Sequence, residues 1–422
     1  MATPLTTNQI RGFWAAWAGW ALDGMDSFIY ALVLTPAIRE LLPRSGIAAT
    51  SDNVVSYGSV LFALFLFGWG LSMIWGPVAD RFGRVRTLAL TILCYSVFTL
   101  MSAFATTIWQ LAIFRLLAGV GIGGEWAMGG TFVAEEWPED RRKMGAGYLH
   151  TGYYFGFFLA AIANYFIGAR YGWRWMFAVG GTPALLVTFI QYGVHESKAW
   201  REKRATAKPT MGGAFAKLFS PLYARRTWMN SVFLLVSIVG LWAGSVYVPT
   251  SVTQIAGREG YGTGDAARLA SYGTMVLSVG TILGCLALPP LAESLGRRVT
   301  LGLYFVVMFF SIALGFGYVF YLPHALAPFM AVLFFLGVGG ANFAMYTLWL
   351  PEQYSTECRA SAFAFTTSVG RFIGAGITFL VGAGVAHFHT IGTPVALTSI
   401  AFLIGLLLLP FGEETRGKSL PT

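Results

Sequence analysis

Charged side chains are scarce. Asp, Glu, Lys and Arg make up 11% of the 422 residues, against about 25% in ordinary soluble domains. Apolar residues reach 56% and mean hydropathy is +0.64. A soluble core cannot hide that much apolar surface, so the surplus must face lipid. Cysteine is scarcer still. Cys94, Cys285 and Cys358 fall in separate segments, which excludes a disulfide scaffold and a thiolate metal cluster. No cleavable leader is expected either: the first apolar run begins near Phe13, carries two aspartates and lacks a small-residue cleavage site. A nucleophile–base pair, a phosphate-cradling loop and a metal-ligand cluster are all missing, which disfavours an enzyme.

What is present is long apolar runs. Crossing a hydrocarbon core of about 30 Å takes roughly 20 such residues. Twelve runs qualify: 13–34, 54–75, 87–104, 108–132, 146–167, 175–194, 228–249, 270–291, 300–319, 328–350, 361–385 and 393–411. Lipid offers no water to a free backbone, so each is predicted to be a helix and the fold to be an all-α polytopic membrane protein. Many of the 51 glycines sit inside these runs, where membrane helices pack closely. The 12 and 11 residues outside the end spans are too short for a signalling domain, which argues against a transporter-like sensor.

The net charge of +9 suggests nucleic acid or an acidic surface until it is mapped. With the N-terminus in the cytoplasm, 20 lysines and arginines fall on the cytoplasmic face. Six fall opposite: Arg39, Arg44, Arg170, Arg174, Arg258 and Arg268. That asymmetry obeys the positive-inside rule, places both termini in the cytoplasm of a chain expected in the cell's inner (plasma) membrane, and makes nucleic acid unnecessary. Residues 195–226 link a first half (1–194) to a second (227–422). The link is expected to be partly helical on the membrane surface, where Lys198, Arg201, Lys203 and Arg204 meet anionic lipid.

The halves echo each other. Gly76-Pro-Val-Ala-Asp80-Arg81-Phe-Gly83-Arg84 follows span 2, and Pro289-Pro-Leu-Ala-Glu293-Ser-Leu-Gly296-Arg297-Arg298 follows span 8, with acid, glycine and arginine each 213 positions apart. A second echo links Glu136-Trp-Pro-Glu-Asp-Arg141 after span 4 to Glu352-Gln-Tyr-Ser-Thr-Glu-Cys-Arg359 after span 10, its glutamates 216 apart. Parallel halves of this kind place a substrate site at the bilayer midplane between them.

These residues resemble the major facilitator superfamily over essentially the whole chain. The 76–86 stretch is similar to its signature between helices 2 and 3. Arg115-Leu-Leu-Ala-Gly119-Val-Gly121-Ile-Gly123-Gly124-Glu125 is similar to its helix-4 signature, and Glu414-Thr-Arg-Gly-Lys418-Ser-Leu420 to the ending of sugar porters. Asp23-Gly24-Met25-Asp26 resembles the helix-1 motif of aromatic-acid:proton and sialate:proton symporters. Gly124-Glu125-Trp126, Glu136-Trp137-Pro138 and the stretch from His195-Glu196 to Trp200-Arg-Glu202 look closest to the sialate:proton symporters, which include monocarboxylate carriers. The second-half echo departs from the pattern, with Pro289 for glycine and Ser294 for arginine. The resemblance implies two six-helix halves related by a pseudo-twofold axis.

A charge at the bilayer centre costs at least about 2.5–3.5 kcal/mol, so each one needs a reason. At 1.5 Å per residue Asp23 lies roughly 15 Å, and Asp26 roughly 20 Å, from the start of span 1, on one face. Arg115 reaches the depth of Asp26 from the opposite side. Two readings stand. Burial favours the neutral carboxyl and a nearby arginine the ionised one, so moving Arg115 would load or release a proton. A static pair would only tie helices 1 and 4 together.

Arg371 lies roughly 15 Å inside span 11. Its fork suits a substrate carboxylate; pairing with Asp23, or snorkelling to the cytoplasm, is the alternative. His150, Tyr154 and Phe157 share the face of span 5 where the resemblance implies the substrate-binding glutamine of sugar porters. His150 is a proton site or donor, or a histidine bonded to a neighbouring helix. Asn342, Tyr346 and Trp349 form an i, i+4, i+7 stripe that either binds substrate or packs. Glu125, near the cytoplasmic end of span 4, is read as structural. Asp80, Arg81, Gly83, Arg84, Glu136 and Arg142 read as gate residues, with Glu293, Arg297, Glu352 and Arg359 in the second half; static loop salt bridges are the alternative. Gly83 permits a turn that a side chain would obstruct.

The reading is a monomeric importer of a small organic anion, a carboxylate such as a monocarboxylate, sialate or aromatic acid. It couples to a proton and works by alternating access, with no metal and no cofactor beyond the coupling proton. A proton-coupled sugar or neutral-metabolite porter, or an exporter, is the rival.

Overall fold

The computed structural model describes residues 3–185, 195–196, 201–202, 211–418 and 420–421. Ten helices among the described residues are long and apolar enough to cross a membrane, and no strand occurs among those residues. This is what a solvent without hydrogen bonds demands of a backbone.

Helix α1 (Thr7–Arg44) opens with a capping box: Thr6 accepts from the Gln9 backbone and the Gln9 side chain answers the Thr6 backbone. Helix α2 (Ser51–Leu71) passes through a 3-10 turn into a short helix, Trp75–Phe82, and α3 (Arg84–Ala103) follows Gly83 directly. Helices α4 (Ile108–Glu136) and α5 (Glu139–Ala163) come next. The sixth span is described at its start as α6 (Trp173–Gly180), and the seventh as α7 (Ala224–Ser245) followed by Val248–Arg258. Helices α8 (Thr263–Leu295), α9 (Arg297–Gly317), α10 (Leu326–Trp349), α11 (Arg359–Phe388) and α12 (Gly392–Phe411) complete the bundle. Lys198, Lys203 and Arg204, expected on the membrane surface, lie outside the described residues, whereas Arg201 and the short Met211–Leu218 segment are helical.

The repeat extends to the lipid face. Leu90, Leu93 and Val97 of α3 are exposed, and so, 213 positions on, are Leu303, Val306 and Phe310 of α9. An uncovered apolar stripe at helical spacing is a surface made for lipid. Inside, backbones touch at small residues. A Cβ added to Gly24 of α1 would lie 2.0 Å from the Tyr153 carbonyl of α5, and one on Gly280 of α8 2.2 Å from the Phe334 carbonyl of α10. Such contacts supply the packing that lipid, as apolar as the helices themselves, does not drive. Between the first six helices and the last six, α2 packs on α11 and α5 on α8.

The turns into α3 and α9 are equivalent. Gly83 has φ +115° and Gly296 φ +90°. A Cβ on Gly83 would lie 2.2 Å from the Glu196 carboxylate, and one on Gly296 2.8 Å from that of Glu414. Alanine is therefore both strained and blocked. Gly83→Ala is expected to lower stability by about 1–3 kcal/mol, the cost of a side chain in a glycine-only conformation. Thermal unfolding of the detergent-solubilised protein measures it; an unchanged melting temperature would contradict the account.

Candidate functional site

Among the charged side chains buried in the described residues, Asp23, Asp26, Arg115, Glu125 and Arg371 lie well inside their helices. Arg115 reaches Asp26 with both terminal nitrogens, at 3.0 and 3.4 Å, and donates to Thr99 at 3.3 Å. The rings of Tyr30, Phe65 and Phe177 surround its guanidinium at 4.7–5.3 Å, replacing water with aromatic faces. The depth match read from the sequence is thus a real contact. Asp23, one turn earlier on α1, has no hydrogen-bond partner on either oxygen. The charges acting on it are those of Glu125, Asp26 and Arg371. Arg371 lies over the Trp69 ring at 4.1 Å, and its Nε and Nη1 are without partners.

Glu125 is not at the helix end. Helix α4 runs four residues beyond the apolar run from which span 4 was read, to Glu136, which leaves Glu125 about three turns inside. Its Oε1 fills the space over Gly19 of α1, 1.7 Å from where a Cβ would stand. The Gly-Gly-Glu ending of the helix-4 signature was the available signal, but only folding shows that the carboxylate meets α1.

Aromatic rings line the interior beside these charges. His150 is within 5.9–6.5 Å of the rings of Trp20, Trp126, Tyr153, Tyr154 and Phe343, and neither ring nitrogen is hydrogen-bonded. The wall spans both halves: Tyr154 donates to the Gly340 carbonyl at 3.3 Å and Trp126 to Thr347 at 2.9 Å. The stripe expected on span 10 begins at a break in the helix. Helix α10 stops at Gly340 and restarts at Phe343, so Asn342 sits in the turn and donates to the Gly339 carbonyl at 2.8 Å. Tyr346 bonds Ser237 of α7 at 2.8 Å, and Trp349 stacks on Phe233 and donates to the Glu413 carbonyl. Those two side chains pack within the second half.

The expected gate residues gather at the end of the bundle that holds both termini. Arg84 pairs with Asp80 at 3.0 Å and Glu135 at 3.1 Å, and Glu135 meets Arg359 across the seam at 3.5 Å. Asp80 accepts from Ser361 of α11 at 2.7 Å. Arg297 pairs with Glu352 and Glu293, and Glu293 takes Lys143 from the first half at 2.7 Å. Arg142 lies 3.8 Å from Glu139 and within electrostatic reach of Glu352. Arg81 stands exposed, 5.2 Å over the Phe82 ring. The ion pairs at this position belong to Glu135, the neighbour of the expected Glu136. Glu135 holds Arg84 and Arg359, while Glu136 offers its backbone carbonyl to Gln9. The second echo therefore runs at 217, aligning Glu135 with Glu352 and Arg142 with Arg359.

Two further carboxylates close this end, and neither had been assigned a role. Glu196 accepts from the backbones of Arg84, Val85 and Arg86 at 2.8–3.1 Å, and Glu414 from those of Arg297 and Arg298 at 3.1 and 3.2 Å. Each caps a helix N-terminus, where free N–H groups favour an anion. Burial pushes the Glu414 carboxyl up, but the N–H groups of Arg297, Arg416 and Arg298 hold it below the usual carboxylate range. At the opposite end a cavity of about 140 Å³ opens between α1 and α2 on one side and α7 and α11 on the other, with Thr35, Ser59, Tyr247 and Thr378 on its walls.

Known proteins share this architecture. The description of the Major Facilitator Superfamily matches residues 16–378. A protein of Cupriavidus pinatubonensis named "Probable 4-methylmuconolactone transporter" is 31% identical, over 97% of this chain and 92% of its own. The niacin transporter NiaP of Acinetobacter baylyi is 29% identical, over 96% and 94%. The solved structure of the proton:xylose symporter XylE bound to 6-bromo-6-deoxy-D-glucose covers 98% of each chain with a TM-score of 0.79 at 18% identity, a likeness of fold. The family and these relatives are transporters rather than enzymes. Apolar helices, an internal repeat and a match across most of its length together make the chain a membrane transporter that belongs to the major facilitator superfamily.

Proposed function

We propose that the chain is a proton-coupled symporter of a small organic anion, a carboxylate on or beside a planar ring, working as a monomer by alternating access. One observation carries the reading: Arg371, buried at the meeting of α2 and α11, keeps two donor nitrogens unpartnered over Trp69. A guanidinium at this depth is costly unless something negative meets it during the cycle. A carboxylate would take its fork, and the rings around His150 would flank a planar body. Niacin, in the name of one relative, is a carboxylate on a six-membered ring.

In this reading the terminal end faces the cytoplasm, as the excess of basic residues there supports. The ion pairs that join the halves at that end close the inward path, while the 140 Å³ cavity lies toward the outside. Asp23 and Asp26 carry the proton, and Arg115 opposes it at Asp26. The direct test is uptake into proteoliposomes, under an imposed pH gradient, of labelled aromatic acids, sialic acid, monocarboxylates and sugars. An acid should accumulate; accumulation of a sugar with no acid transported would overturn the reading.

The gate assignment has its own test. Asp80→Asn removes a charge from Arg84 but lies away from Arg371. Transport rate should fall at least about tenfold, the equivalent of about 1.4 kcal/mol, while equilibrium binding of the acid stays nearly unchanged. A large loss of binding in a well-folded variant would contradict it.

A further inference from the structure

Among the described residues of this interior, Glu125 and Asp23 are the two carboxylates with no ion pair to an arginine. Both are fully or almost fully buried, and none of their four oxygens has a hydrogen-bond partner. They come from different helices and lie within electrostatic reach of each other, because α4 presents Glu125 against Gly19, one turn before Asp23 on α1. The space was made for this group: any side chain at Gly19 would occupy the position of Oε1. Two ionised carboxylates within reach of each other, shielded from water and hydrogen-bonded to no cation, would repel each other and lack the compensation a buried charge requires. One proton removes both costs.

The groups around the pair do not supply the missing charge. On α1, Asp26 is already bonded to Arg115 of α4. Tyr95 of α3 and Tyr153 of α5 face the carboxylates as neutral phenols, and His150 of α5 lies among rings with both nitrogens unbonded. Arg371 of α11 acts on Asp23 through space, without a hydrogen bond to it.

We infer that Glu125 and Asp23 form a proton-sharing pair and that Glu125 is a second protonatable group of the coupling site, an inference that rests on the proton-coupled reading above. In the transport step a carboxylate oxygen of the pair takes a proton from water on the outer side. The donor is hydronium: its O–H bond breaks, leaving water, as the carboxyl O–H forms, and on the inner side the carboxyl O–H breaks as water becomes hydronium; nothing is oxidised or reduced. A substrate carboxylate arriving at Arg371 withdraws that cation from Asp23, so the pair binds its proton more firmly when the anion is present. Proton and anion then travel together.

Infrared difference spectroscopy of the full chain in liposomes at neutral pH tests this without any substrate. Subtracting the Glu125→Gln spectrum from that of the unaltered protein should reveal one lost protonated-carboxyl band. Loss of ionised-carboxylate bands alone would overturn the pair. Should Glu125→Gln fail to fold, Asp23→Asn carries the test: the protonated-carboxyl band should shift, because its neighbour has changed, and an unmoved band overturns the proposal. Neither arm needs a transported acid, so a failure of the anion-symport reading would be told apart from a failure of this one.

Discussion

Asp26→Asn should abolish accumulation driven by a pH gradient while leaving exchange of labelled for unlabelled acid across the membrane. The same variant should be markedly less stable. Asp26 is bonded to Arg115 through two contacts in a fully buried setting. Removing one partner of such a pair strands the other, at a cost of about 3–5 kcal/mol. Thr99 and the three rings around Arg115 offset part of that, so the fold should survive in detergent with a lowered melting temperature. Proteoliposome uptake and exchange, measured beside thermal unfolding, separate the two effects. If Asp26→Asn still concentrates the acid, coupling belongs to Asp23 and its neighbours, and the Asp26–Arg115 pair is a fixed tie between α1 and α4.

The second large effect concerns Arg371. Arg371→Lys keeps the positive charge but loses the planar fork and the stacking on Trp69. A hydrogen bond to a charged group is worth about 1.5–3 kcal/mol, so carboxylate affinity should fall by roughly tenfold to a hundredfold. The electrical signature is independent of affinity. A monoanion moving with one proton carries no net charge, whereas a neutral sugar with one proton moves a positive charge, worth about 2.3 kcal/mol per 100 mV. Uptake should therefore follow an imposed pH gradient and hardly respond to a potassium-diffusion potential at fixed pH. Potential-driven uptake of an uncharged solute, with Arg371→Lys harmless, would favour the sugar rival.

The bundle was legible because lipid leaves the backbone one choice, and because apolar runs and basic loops mark where each helix begins and ends. The Asp26–Arg115 contact was legible for a related reason: depth along a helix is a count of residues. Side-to-side neighbours are not counts. Glu125 was placed near a helix end because the apolar run stops before the helix does, and nothing in the sequence says that α4 lies on Gly19. The Asn342–Tyr346–Trp349 stripe assumed one unbroken helix, but α10 is interrupted just before it and Asn342 caps the restarted segment, so what each side chain meets was not a matter of counting. The gate echo pointed to Glu136, whereas the contacts with Arg84 and Arg359 belong to Glu135, because the rotation of α4 about its axis is not a count of residues.

The two capping carboxylates bear on ancestry. Glu196 follows the sixth span and returns to α3; Glu414 follows the twelfth and returns to α9. Each capping carboxylate thus comes from the stretch that trails its own set of six helices. A single ancestral module that tucked its own tail beneath its third helix would, once doubled in tandem, yield this arrangement without further invention. The peptide between the modules is then the first one's tail, kept at its original task.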